Sequence, residues 1–119
     1  NSSNAEITSS DYDFARLNLK SYTSFSEGRQ TGQTSIQTGM FTVTSSDGTG
    51  EQIITVFNAF DSSSFSFLLI QGAGIRVGSG LDGYKNIGIL KSAQQCNGFS
   101  ILPDSGTISL QVSVYGVKE

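Results

Sequence analysis

The sequence predicts an all-β domain: an antiparallel β-sandwich, jelly-roll-like, of about eight strands. Three observations carry that expectation. In "SGTISLQVSVYGVKE", residues 105 to 119, Ile108, Leu110, Val112 and Val114 alternate with Ser109, Gln111, Ser113 and Tyr115, the period-two pattern of a half-buried strand. The composition, with 14 Gly, eight Phe, four Tyr and one Pro in 119 residues, suits short strands and tight turns. No run of Ala, Leu, Glu and Lys at helical spacing occurs.

The elements follow in order. Residues 1–11, "NSSNAEITSSD", are polar apart from Ala5 and Ile7 and read as a connecting arm. A single sandwich domain is expected over 12–119, since a chain of this length can bury one core without disulfides. Strands are expected at about 12–26 (Phe14, Leu17, Leu19, Tyr22, Phe25), 35–44 (Ile36, Met40, Phe41, Val43) and 52–60 (Ile54, Val56, Phe60). Further strands are expected at 64–71 (Phe65, Phe67, Leu69), 74–78 (Ile75, Val77), 86–92 (Ile87, Ile89), 98–102 (Phe99, Ile101) and 107–117. Asp47-Gly48 and Asp82-Gly83 sit between alternating segments and predict two-residue hairpin turns, because both positions of a type I′ turn need positive φ. "LPDSGT", 102–107, holds the only proline and predicts a third turn.

Charge narrows the function classes. Only 14 % of residues are charged and the net charge is −3, while Ser and Thr fill about a quarter of the chain. Nucleic-acid backbones are bound by clustered Lys and Arg, and the seven basic residues here are scattered. No stretch reaches the length of a membrane-spanning helix. Asn1, standing where an initiator Met would, suggests a processed or partial chain.

Chemistry-bearing residues are few. There is no histidine and one cysteine, which removes the usual nucleophile and base pairs and the common zinc sets, and Cys96 reads as a small packing residue. Most of the carboxylates fall in predicted turns, where Asp serves the backbone, so no enzymatic activity and no cofactor are expected. Asp11 with Asp13, or Asp47 with Glu51, could offer oxygens to calcium, but neither pair matches an EF-hand loop, and no metal site is expected. "GAGIRVGSG", 72–80, is glycine-rich without the strand-to-helix context of a phosphate loop, and its glycines are expected to mark bends or close approach within a sheet. The one suggestive polar cluster is "LDGYKN", where Asp82, Tyr84, Lys85 and Asn86 would place an aromatic face beside donors and acceptors for a sugar or peptide ligand. In "ITVFNAF", Phe57 and Phe60 point to opposite faces. Both faces of that strand are therefore expected to be covered, by another copy or by a loop.

Taken over residues 12–119, a charge-poor β domain that follows a polar arm and ends on "GTISLQVSVYG" resembles the distal knobs of phage and viral fibres. It is similar in style to the C-terminal domains of tail fibres, tail spikes and tail needles, and to the trimeric jelly-roll knobs of the tumour-necrosis-factor and C1q type. The resemblance implies a homotrimer at a virion's fibre or needle tip that recognises a host-surface receptor or glycan, or perforates an envelope. It also implies that the last strand is built into a sheet near a three-fold axis, with Tyr115 and Val117 at the contact between copies. The competing expectation is a monomeric, extracellular carbohydrate-binding domain of a secreted enzyme or adhesin; the lack of Trp weighs against it.

Overall fold

The structure, a computed structural model, describes residues 5–38, 50–76 and 80–117. These contain β1 (Tyr12–Lys20), β2 (Ser26–Gln33), β3 (Gly50–Phe57), β4 (Ser66–Arg76) and β5 (Gly80–Leu90). All pairings are antiparallel, in one sheet of order β2-β1-β5-β4-β3. The all-β antiparallel class is as expected and broadly consistent with a sandwich, but five strands are seen among the described residues rather than about eight.

The differences have physical causes. The predicted strands at 64–71 and 74–78 form the single eleven-residue β4, because Gly72 and Gly74 lie flat in the ladder opposite Gln52 and Gly50 instead of breaking it. Asp82-Gly83 is not a hairpin tip. It lies inside β5, paired with Lys20 and Leu19 on one side and with Gly74 and Ala73 on the other. β2, "SEGRQTGQ", was not predicted, having no apolar residue to alternate; it is held by backbone pairing to β1. Residues 98–102 and 107–117 carry no strand assignment. The predicted turn before the latter is matched by bends at 104–106, with Gly106 at φ 73°. The Asp47-Gly48 turn, and Met40, Phe41 and Val43, lie outside the described residues.

Register sorts the side chains onto two faces. Phe14, Ile70, Tyr84 and Leu90, the buried hydrophobic residues, share one face with buried Ser66 and Asn86. The chain crosses this face after β2: Ile36 sits on Gly88, where an added Cβ would lie 2.6 Å from Ile36 Cδ1. Asn86 Nδ2 donates to the Gln37 carbonyl at 2.5 Å. Gly88 is thus the slot that lets the crossing segment descend onto the sheet. A second slot is Gly72. Tyr84 reaches from β5 across it to β3, its hydroxyl donating to Gln52 Oε1 at 3.0 Å, and a Cβ at Gly72 would lie 2.7 Å from that hydroxyl.

Candidate functional site

The opposite face is apolar and open. Across the sheet, register aligns Ala15, Ile87, Leu69 and Thr55 in one row, and Ile89, Phe67 and Phe57 in the next. Leu17, Lys85, Gln71 and Ile53 form a third row, while Leu19, Leu81 and Ile75 lie toward one end. Ile87 is 56 % exposed and Ile53 is 73 % exposed. Strands with a buried second face read as near-continuous hydrophobic runs, and "FLLI" in β4 does so; here only one face of it is covered. A shallow depression lined by Ala15, Leu17, Lys85 and Ile87 marks the middle of the face.

The accessible area gives this a scale. A compact monomer of 12.6 kDa exposes about 6,200 Å2; this chain exposes 8525 Å2. The radius of gyration, 15.3 Å, likewise exceeds the about 13.5 Å expected for a compact chain of this length.

The segment after β5 is largely exposed. Lys91 N donates to the Asp11 carbonyl, and Cys96 N to the Ala59 carbonyl at 2.6 Å, so the chain is held to the sheet as far as the corner beyond β3. Past Asn97 the chain carries no strand assignment, and a Cβ added at Gly98, Gly106 or Gly116 would meet no heavy atom within 4 Å. Val114, Tyr115 and Val117 are 74 %, 86 % and 94 % exposed.

The polar cluster predicted at 82–86 is divided by the pleat. Tyr84 and Asn86 are buried on the covered face, and burial pushes the Tyr84 phenol up to about 12. Asp82, on the same face, accepts from the Tyr22 hydroxyl at 2.8 Å. Lys85 projects from the open face between Leu17 and Gln71. The strand alternation that defeats the hairpin prediction therefore also separates these four residues. Among the described residues, Asn86 Oδ1 and Arg16 Nε have no hydrogen-bond partner.

Two carboxylates are held by local partners. Asp13 Oδ1 binds Lys91 Nζ at 2.9 Å and accepts from Gly32 N; the Lys91 hydrogen bond, then the Gly32 one, holds its carboxyl below the usual range. Asp61 accepts from the Ser63 hydroxyl and amide and from the Ser64 hydroxyl. Those bonds lower it to about 2 and tie the corner between β3 and β4. No group of three or more His, Cys, Asp or Glu able to hold a metal ion is present among the described residues. No helix there is long and apolar enough to cross a membrane.

The sequence signal of the open face is the presence of apolar residues on both sides of β1, β4 and β5, with Phe57 in β3 aligned beside Phe67. No protein-family model matches the chain, and no curated protein or solved structure is found similar to it.

Proposed function

We propose that this chain is a non-catalytic, self-associating tip module of a virion fibre or needle, working as a homotrimer and attaching to a host surface. The observation that carries the reading is the apolar sheet face formed by β1, β5, β4 and β3, which no described residue covers: Ile53, Phe57, Phe67, Leu17 and Ile87 are all exposed on it. Monomeric soluble proteins rarely expose contiguous apolar patches beyond a few hundred Å2, and closed cyclic assemblies of identical chains are the common way to cover one. The number three comes from the resemblance to fibre knobs. Phe57 on the open face, and Tyr115 and Val117 beyond the sheet, are available to a neighbouring copy.

Attachment then rests on shape presented by the assembly. The hydroxyl-rich, weakly charged surface supports contact with neutral glycans more than with phosphate backbones. The reading is tested by applying the labelled protein to an array of bacterial surface polysaccharides and to intact bacterial cells. Saturable binding by the trimer, lost when the trimer is dissociated, is the expected result. Equal binding by a stable monomer would favour a carbohydrate-binding domain instead.

A further inference from the structure

We infer that residues 107–117 of one copy pair as a β-strand with the β3 edge of a second copy. The inference rests on the self-association reading and specifies its contact. Four observations place the strand there.

First, 107–117 has the strongest strand pattern in the sequence, yet it carries no strand assignment in its own chain. A strand's backbone N–H and C=O groups need partners once its apolar row is buried. Second, among the described residues the two edges of the sheet, β2 and β3, differ. β2 carries Glu27 and Arg29 among polar residues, the sort of charged edge that resists pairing. β3 ends in "IITVF", a run of β-branched and aromatic residues with no charge or proline, which is a competent template for an added strand.

Third, the segment leaves from beside β3 and its end is open. Cys96 is bonded to Ala59, two residues past the end of β3, a Cβ added at Gly98, Gly106 or Gly116 would meet no heavy atom within 4 Å, and Val114, Tyr115 and Val117 are exposed. Extended at about 3.3 Å per residue, its eleven residues span about 36 Å, more than the eight residues of β3. Fourth, the chemistry matches. Once paired, Ile108, Leu110, Val112 and Val114 on one side of the strand would carry the apolar face of β3 to β5 onward by one strand, leaving Tyr115 and Val117 on the other. Each chain thus offers one strand and one acceptor edge, and passing the strand from copy to copy around a ring closes the assembly.

The test uses the full chain. Isotopically labelled and unlabelled chains are mixed in denaturant and refolded together, and isotope-filtered NOE spectra are recorded for contacts between 107–117 of one chain and 50–57 of another. In parallel, Val112→Pro, which removes a strand N–H outside the sheet, is followed by light scattering. Inter-chain contacts to β3, with association weakened at least tenfold in Val112→Pro, are the expected result. Contacts only within one chain, or an unchanged trimer in Val112→Pro without inter-chain contacts, would overturn the strand exchange and leave the trimer standing. A wild-type monomer would overturn both.

Discussion

Gly72→Ala is expected to be among the most damaging single-methyl changes available in the sheet. The added Cβ would sit 2.7 Å from Tyr84 Oη, 2.8 Å from Tyr84 Cζ and 2.8 Å from the Glu51 carbonyl oxygen. The last of these is backbone of the paired strand and cannot rotate away, so the ladder between β3 and β4 must spread. Overpacking of this kind costs about 1–3 kcal/mol. Displacing the Tyr84 ring also breaks its hydrogen bond to Gln52, worth about 0.5–1.5 kcal/mol. The combined loss of about 1.5–4.5 kcal/mol is a large part of the 5–15 kcal/mol that holds a typical domain together, and should lower Tm by about 6–18 °C. Thermal unfolding followed by circular dichroism at one fixed chain concentration measures it, because Tm of an assembling protein depends on concentration. In a Tyr84→Phe background the same substitution should cost less, since the nearest atom is gone, and the difference between the two backgrounds reports the contact. A Gly72→Ala protein melting within about 2 °C of wild type would refute the account of Tyr84 lying across β4.

The remaining predictions concern charge and assembly. Tyr84 has its folded pKa raised above the ordinary 10.0 to about 12. The folded state therefore keeps a proton that the unfolded chain releases, so this contribution to stability is full below pH 10 and declines as pH rises toward 12; Tyr84→Phe should reduce that decline in a urea-unfolding series, leaving the smaller part due to Tyr12, which burial also raises. Asp61, lowered to about 2, should show an NMR carboxyl titration midpoint near that value, moving back toward 3.8 in a Ser63→Ala/Ser64→Ala protein; its contribution to holding the corner is present above pH 4 and lost as pH falls toward 2. Ile87→Glu, at the centre of the open face, should leave Tm of the dissociated chain within about 2 °C but abolish self-association on a sizing column. Tyr115→Ser should weaken assembly, and an unchanged trimer would remove Tyr115 from the contact.

What the sequence made legible, and what it did not, follows from how local each signal is. β1, β4 and β5 are visible because apolar residues recur through them, but of the residues that mark them in the sequence only Phe14 lies in the core; Phe67, Leu69, Ile87 and Ile89 fall on the open face, and the fully buried Ile70 is hidden in the continuous run "FLLI". β2 is invisible because it is held to β1 by main-chain pairing and a few polar contacts, such as Asn18 to Ser26 and Asp13 to Gly32, which no apolar alternation encodes. The Asp82-Gly83 dipeptide has the local chemistry of a hairpin turn, but pairing on both sides by β1 and β4 outweighs it. The same pairing scatters the predicted cluster, with Tyr84 and Asn86 facing inward and Lys85 outward. Gly72 and Gly88 are legible only as glycines; that they are slots for Tyr84 and Ile36 depends on contacts between elements far apart in the chain. The clearest sequence strand, 107–117, has no partner strand among the described residues; alternation reports which side of a segment is apolar and not which strand lies beside it.

Self-association through the open sheet face is the central claim, and the mass of the protein in solution tests it most directly. Light scattering on a sizing column should give about 38 kDa, three times 12.6 kDa. A value near 12.6 kDa across the accessible concentration range would contradict it.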